Sequence, residues 1–415
     1  MLDIRFIREN VDIVKEGVRN KNYDDKVIDD VLLKDASKRE LQAKVESLKA
    51  EKNKLNRDQI ERGKEIKIEL KELEQNLKQE DDALMELLSE IPNVPMKDVP
   101  VGKGEDGNVE IKKWGEPRKF DFEPKNHLDI GKQLGILDFE TGAKVTGSQF
   151  YYLYGDGVLL ELALVQYAFN LLAKEGFLPV MTPDLAKSRY YLGTGYSPRG
   201  KEAQTYKIED ENLGLIATAE VTLAGKHADE ILSQNDLPIK YVGYSHCFRR
   251  EAGAYGKYSK GLYRVHQFTK VEMFIYCTAE ESNKFHEYIL GLEERIYQNL
   301  GLPYRVLEMC TGDLGAMATR KFDIEAWMPG RNEYGEVTST SNCTDYQARN
   351  LNIKYKSKDG STKYVHMLNG TAIATSRTPL AILENYQNQD GSVTIPEVLR
   401  PIMGKDKIIL PATNR

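Results

Sequence analysis

Residues 248–274 read FRREAGAYGKYSKGLYRVHQFTKVEMF and hold the densest set of groups able to do chemistry. Arg249, Arg250 and Glu251 stand together at one end, and a loop with Gly253, Gly256 and Gly261 follows. The chain leaves through aromatic and β-branched residues that still carry Arg264, His266, Lys270 and Glu272. Phe248, Val265, Phe268, Val271 and Phe274 make these flanks too apolar for a fully solvated hairpin. Charge inside a sheet is costly unless it is paired or touches a ligand. The pattern therefore predicts a buried sheet floor that meets an anionic, planar ligand.

Four other segments add to this set. IATAE at 216–220 puts Thr218 and Glu220 on one side of an extended chain, although a bare Thr-Ala-Glu triplet also reads as a helix cap. In EVTSTSN at 336–342, Glu336 and Ser339 offer a carboxylate and a hydroxyl to one hard cation, an oxygen set that suits Mg²⁺ completed by substrate phosphates. NGTAIATSRT at 369–378 runs into PLAILENYQ and sets Arg377 just before a helix start, where backbone N–H groups favour an anion. Residues 157–183 read as a helix followed by GFLPVMTP, ending at Pro183. No G-x-x-x-x-G-K-[ST] loop occurs, and no G-x-G-x-x-G follows a strand. Lys257-Tyr258-Ser259-Lys260 mimics the KMSKS loop of class I aminoacyl-tRNA synthetases, but no HIGH-like partner precedes it, so it is read as a coincidence.

The elements that must position these groups are legible by period. Leu41, Val45, Leu48 and Leu55 fall at heptad spacing with Lys52 at the skipped position. Ile66, Leu70, Leu73, Leu77, Leu84, Leu87 and Ile91 repeat it with Glu80 at the skip. Gly63 lies between the runs, and Pro92 and Pro95 end the second. This predicts an antiparallel coiled-coil hairpin over about 30–91, reaching roughly 45 Å. Between 49 and 67 its tip has seven basic residues (Lys49, Lys52, Lys54, Arg57, Arg62, Lys64, Lys67) against four acidic ones, in a chain of net charge −6. Such a tip suits either a solvated surface or a phosphate backbone. A Pro- and Gly-rich stretch at 92–118 reads as a linker. Beyond it, helix signals at 157–175, 279–300 and 379–388 alternate with strands at 240–249, 262–277, 322–328 and 334–339. They predict an α+β unit with a mixed, mainly antiparallel sheet and flanking helices.

Composition bounds the rest. At 415 residues, 40% hydrophobic and 29% charged, the chain is expected to fold as two to three globular domains. No run of 18 apolar residues is present, and MLDIRFIRENVDIVKEG is too charged for a signal peptide, so no membrane partner is expected. Cys247, Cys277, Cys310 and Cys343 show no metal or redox spacing and read as reduced cytoplasmic thiols.

Taken in this order, the segments resemble the seryl-tRNA synthetase family of class II aminoacyl-tRNA synthetases. The helix and strand ending at Pro183 resemble motif 1, residues 248–274 motif 2, and 369–386 with Arg377 motif 3. The serine-type signals are TAE at 218–220, VHQFTKVE at 265–272, SNC at 341–343 and ENYQ…PEVLRP at 384–401, and the N-terminal hairpin is similar to the family's tRNA-binding arm. The resemblance implies a class II antiparallel sheet with flanking helices in 121–415, a linker at 101–120, and a tRNA-binding domain in 1–100 with the coiled-coil arm. It implies a homodimer built through motif 1, and ATP, Mg²⁺, L-serine and tRNA-Ser as ligands, the long variable arm of the tRNA lying on the coiled coil. Charging of tRNA-Sec stays open. The activity implied is ATP-dependent formation of seryl-adenylate and transfer of the seryl group to tRNA.

Residue roles follow from the same resemblance. Arg249 and Arg377 are the catalytic arginines. The ATP set is Arg249, Arg250, Glu251, Val265, Phe268, Glu336, Val337, Thr338, Ser339 and Arg377, with Glu336 and Ser339 on Mg²⁺. Arg249 bridges the α-phosphate and the serine carboxylate, and Glu251 meets the adenine amino group. Thr218, Ala219 and Glu220 receive the serine ammonium, and Glu272 with Asn369 and Thr371 reads the hydroxyl. The motif 2 loop departs from the family's AGRDTRG: here 255–261 reads YGKYSKG, with Tyr258 for the acidic residue and Lys257 and Lys260 for arginines. Arg250 stands where a small residue is frequent. No inserted editing domain is expected. Two other readings remain at this point: an adenylating relative that loads a carrier protein, disfavoured by the arm, and a non-catalytic RNA-binding coiled-coil protein, disfavoured by intact Arg249, Glu251, Glu336 and Arg377.

Overall fold

Heptad spacing makes the arm. In the computed structural model of the chain, which describes residues 1–56, 58–196, 205–251 and 261–411, the helices Lys26–Lys54 and Ile60–Glu90 pack side by side. Ion pairs Lys34–Glu80 and Lys49–Glu74 show that they run antiparallel. Val45, Ile66 and Leu70 are buried in the seam, with Leu48, Leu55, Leu73 and Leu77 against them. The break falls earlier than the glycine suggested. Gly63 lies inside the second helix, and the turn is made at Asn56, whose side chain accepts from the Asp58 N–H and whose carbonyl accepts from the Gln59 N–H. Asparagine competes well for local backbone donors. One helical glycine costs only about 1 kcal/mol, so it does not end the helix. Arg57 of the arm tip, and Gly253, Gly256 and the 257–260 tetrapeptide of the motif 2 loop, lie outside the described residues.

At its root the arm packs on the helix Val11–Asn20 through Val14, Val18, Ile28, Val31, Leu84 and Leu88. Tyr346, from the far end of the sequence, joins the same cluster.

The second body is built on an eight-stranded sheet in the order Val109–Trp114, Tyr304–Glu308, Arg320–Met328, Glu333–Asn342, His366–Ala374, Gln267–Cys277, Ile239–Phe248, Leu178–Met181. Every neighbouring pair is antiparallel except the last, which is parallel. The stretch 101–120 is therefore not only a linker: its Val109–Trp114 forms the edge strand beside Tyr304–Glu308. A β-branched, aromatic run with an unpaired neighbouring edge pairs more readily than it stays solvated. The helices Asp156–Lys174, Ser282–Asn299 and Arg377–Asn385 match the predicted signals, with Arg377 as the first helical residue rather than the one before it.

Alternation along Gln267–Cys277 decides which face does what. Val271, Met273 and Ile275 point into the core that holds Leu160, Leu164, Ile289 and Ile296 of two covering helices. Phe268, Lys270 and Glu272 point the other way, onto an open cavity.

Candidate active site

The cavity has a volume of about 520 Å³ and its floor is the polar face of the central strands. Two β-bulges shape that floor. Between Glu333–Asn342 and Arg320–Met328 the register steps from Ile324 opposite Thr338 to Glu325 opposite Glu336, leaving Val337 as the extra residue. Residues three apart on a regular strand face opposite sides; the bulge brings Glu336 and Ser339 to the same one, and both line the cavity. A second bulge leaves Ala372 extra between Thr371 and Ile373, so Asn369, Thr371 and Ala374 share the cavity face.

At one end the cavity is acidic and deeply buried. Glu220 begins the short helix Glu220–Gly225 and is 3% exposed. One carboxylate oxygen accepts from Gln347 Nε2 (2.7 Å) and Asn369 Nδ2 (3.0 Å), the other from the Tyr196 hydroxyl (3.0 Å). Burial, aided by the charge of Glu272, pushes its pKa up to about 7 against the hydrogen bond from Gln347 and the charge of Lys270. Glu272 is 1% exposed, accepts from the Thr371 hydroxyl directly across the sheet (3.2 Å), and pairs with Lys270 (2.5 Å). A buried carboxylate pair of this kind suits a small ligand with an ammonium and a hydroxyl.

At the other end the cavity is lined by arginines. Arg249, at the end of Ile239–Phe248, lies over the Phe268 ring at 5.2 Å, and Val265 and Phe268 form an apolar wall beside it. Glu251 pairs with Arg264 at 3.1 Å. Arg377 pairs with Glu336 at 2.9 Å and lies 4.8 Å from the Tyr263 ring centroid, while the Tyr263 hydroxyl accepts from the Glu336 N–H. Burial alone would raise the Glu336 pKa, but Arg377, Lys321 and Arg249 hold it down at about 2. The same carboxylate offsets burial at Arg377 and keeps the guanidinium firmly protonated. An ionised carboxylate and the Ser339 hydroxyl on one face fit a hard divalent cation with room for phosphate oxygens. Among the described residues no larger group of His, Cys, Asp or Glu gathers that could hold a metal.

Most residues singled out from the sequence meet here: Glu220, Arg249, Glu251, Val265, Phe268, Glu272, Glu336, Val337, Thr338, Ser339, Asn369, Thr371 and Arg377 all line the one cavity. Three do not. Arg250 is exposed and outside the lining. Thr218 and Ala219 are fully buried behind it. Residues 218–220 are a helix start rather than an extended chain, and the Thr218 hydroxyl accepts from the Glu220 N–H at 3.2 Å. Thr218 thus acts by fixing Glu220. Sequence reasoning missed Tyr196, Gln347 and the pairing role of Lys270. Tyr196 and Gln347 are uncharged and carry no spacing signal. Lys270, two residues from Glu272, was visible as a same-face neighbour.

The comparisons agree with this geometry. Residues 206–386 match the tRNA synthetase class II core domain (G, H, P, S and T), and residues 1–95 match the seryl-tRNA synthetase N-terminal domain. The chain is 54% identical to the serine--tRNA ligase of Dictyoglomus turgidum, over 98% of this chain and 99% of that one. Its structure is similar to the seryl-tRNA synthetase of Pyrococcus horikoshii complexed with ATP, with a TM-score of 0.94, 41% identity, and 99% and 100% of the two chains covered. It is also similar to the cytoplasmic serine-tRNA ligase of Naegleria fowleri in complex with AMP, with a TM-score of 0.89, 37% identity and 99% of each chain covered. With a class II sheet, a helical arm and full-length relatives on both sides, the chain belongs to the seryl-tRNA synthetase family.

Proposed function

We propose that the cavity condenses L-serine with ATP to seryl-adenylate and pyrophosphate, and that a hydroxyl of the terminal adenosine of tRNA-Ser then takes the seryl group as the acyl–phosphate bond breaks and AMP leaves. The observation that carries this reading is the polarity of one continuous cavity, with buried Glu220 and Glu272 at one end and Arg249, Arg377 and Glu336 at the other. In the step, a serine carboxylate oxygen attacks the α-phosphorus and the bond to the bridging oxygen breaks, releasing pyrophosphate. Such chemistry relies on positioning and charge neutralisation, which agrees with a cavity lining that holds no His or Cys among the described residues.

Each residue has a role in this reading. Glu220 receives the serine ammonium, with Thr218 holding the helix start behind it. Glu272, steadied by Lys270 and Thr371, accepts the hydrogen bond of the serine hydroxyl. Arg249 stands on the side of the arginine end nearer Glu220, donating to Ala217 O at 3.4 Å, and bridges the serine carboxylate and the α-phosphate from there. Val265 and Phe268 wall the adenosine, Glu251 accepts from its amino group, and Arg377 holds the phosphates. Glu336 and Ser339 would hold Mg²⁺, which supplies further neutralisation of phosphate charge.

The arm and the assembly extend the reading. Lys49, Lys52, Lys64, Lys67 and Lys71 surround one groove between the arm helices, in keeping with a phosphate-backbone contact to the tRNA variable arm. Val158, Leu159 and Leu162 of Asp156–Lys174, with Leu178 and Met181 of the edge strand, leave an exposed apolar face of the kind a homodimer covers. A cytoplasmic setting goes with this function, and four free, buried cysteines suit a reducing compartment. The test is serine-dependent ATP–pyrophosphate exchange, followed by charging of tRNA-Ser. Absence of exchange would overturn the reading, and exchange without charging would favour a relative that loads a carrier protein.

A further inference from the structure

Lys21 follows the helix Val11–Asn20 in the arm-bearing domain, is 4% exposed, and does not face the arm. Its ammonium donates to three backbone carbonyls of one loop in the catalytic body: Ala318 (2.6 Å), Gly315 (2.8 Å) and Ala316 (3.3 Å). Asn93, at the far root of the arm and also 4% exposed, takes the rest. Its N–H donates to Ala316 O (2.8 Å), and its side-chain amide to Met317 O (3.0 Å) and Cys343 O (3.0 Å). Met96 N–H completes the set on Thr319 O. Every carbonyl from 315 to 319 is thus held by the N-terminal domain. Burial draws the Lys21 pKa down to about 7, and the three carbonyls supply hydrogen-bond acceptors where water is excluded.

The loop so held is a wall of the cavity, through Gly315 and Met317. The Met317 sulfur lies 3.4 Å from Gln347 Nε2, the group that donates to Glu220, and its methyl closes on Gly195, next to Tyr196. Met317 therefore touches Gln347, one arm of the cradle that holds the Glu220 carboxylate, and lies against Gly195, the residue before the other arm, Tyr196. The helix Tyr346–Leu351, which carries Gln347, is fastened to the same domain by the Tyr346 hydroxyl on Ile91 O (2.8 Å) and by the Arg349–Asp3 ion pair (2.8 Å).

We propose that Lys21 and Asn93 are positioning residues for the amino-acid end of the active site: by clamping the 315–319 loop they set Met317 against Gln347 and against Gly195, the residue before Tyr196, and so aim Glu220 at the serine ammonium. The N-terminal domain then has a part in amino-acid binding that is separate from any contact with tRNA. This rests on the serine-activation reading above. The nucleotide end, built from Arg377, Glu336 and Arg249, has no contact with Lys21 or Asn93, so the effect is specific to one substrate.

Pyrophosphate exchange with serine and ATP varied separately, on the full-length chain, tests it. Lys21→Met removes the three donors at similar side-chain length, and Asn93→Ser removes the side-chain amide with a smaller change. Each is expected to raise the serine KM by about five- to fiftyfold while the ATP KM and kcat stay within about twofold of the parent. A merely loosened fold lowers the active fraction and moves kcat alone. Folded variants whose serine KM stays within about twofold, or whose serine and ATP KM rise together, overturn the proposal; should Lys21→Met fail to fold, Asn93→Ser decides. Exchange by the unaltered chain tests the activation reading itself, whereas only the variant-to-parent ratio tests the clamp.

Discussion

Lys270 and Glu272, two residues apart on one strand, form an ion pair of 2.5 Å with side chains 7% and 2% exposed. The carboxylate that meets the serine hydroxyl in the reading above is thus pinned from one side by an ammonium and from across the sheet by the Thr371 hydroxyl. Both side chains are almost wholly buried in the cavity floor, so removal of one leaves the other poorly compensated, a loss of about 3–5 kcal/mol in comparable buried pairs.

Glu272→Ala is expected to cut the preference for serine over alanine at least tenfold, because the acceptor that alanine leaves unpaired is gone. Relative kcat/KM for the two amino acids in pyrophosphate exchange measures this. The variant also strands Lys270, so its melting temperature is expected to drop, and Lys270→Met in the same background to recover part of the loss.

Glu220 must be ionised to receive an ammonium, and its pKa lies at about 7. The serine kcat/KM is therefore expected to fall as pH drops through about 7, by up to about tenfold per unit below it. Glu220→Gln flattens that limb at a value about 10²-fold lower. Stability runs the other way: the folded chain keeps a proton that the unfolded chain releases above about 4.5, so this group costs stability as pH rises from about 4.5 to about 7. Thermal melts of the parent and Glu220→Gln across that window give the difference.

Glu336 is the one carboxylate that both Arg377 and the proposed Mg²⁺ share. Glu336→Gln is expected to raise the Mg²⁺ concentration needed for half-maximal exchange by about tenfold or more while leaving the serine KM near the parent value. An unchanged Mg²⁺ dependence removes Glu336 from the metal site. Ser339→Ala, which leaves the Arg377–Glu336 salt bridge in place, separates loss of a metal donor from loss of the Arg377 pair.

Truncation separates the two reactions. A chain without 35–90 loses the groove ringed by Lys49, Lys52, Lys64, Lys67 and Lys71 but keeps the whole cavity. Serine activation is expected to persist and tRNA-Ser charging to fall by at least about 10²-fold. Normal charging by the truncated chain refutes the role of the arm.

The apolar face on Asp156–Lys174 and its edge strand gives a fifth outcome. Leu162 is 54% exposed and Met181 78%. Leu162→Glu with Met181→Glu is expected to convert a dimer of the 47.2 kDa chain into single chains in sedimentation. A parent that already sediments as single chains excludes the dimer.

Much of this was legible because it is periodic. The heptads of 41–91 and the alternation of 265–274 report which face is buried without any knowledge of partners. Charge in an apolar strand pointed at Glu272, and a basic residue at a helix start pointed at Arg377. What stayed hidden depends on neighbours far along the chain. Glu336 and Ser339 share a face only because Val337 bulges against Arg320–Met328. Val109–Trp114 became a strand because Tyr304–Glu308 offered an edge. Gln347 and Tyr196 matter through a carboxylate some 127 and 24 residues away, and neither is charged. The hydrogen bond by which the Thr218 hydroxyl accepts from the Glu220 N–H was hidden as well, because it depends on the chain turning into a helix at 218–220.

The bulge at Val337 also sets how this strand tolerates change in length. Before it, one parity of residue number faces the cavity, and after it the other does, so the strand carries a built-in phase shift. Deletion of that single residue restores a regular pleat in which Glu336 and Ser339 stand two apart and keep their common face. The opposite change separates the arginine's counter-charge from the hydroxyl beside it: with Val337 kept but drawn into the ladder, Glu336 and Ser339 stand three apart and face opposite sides.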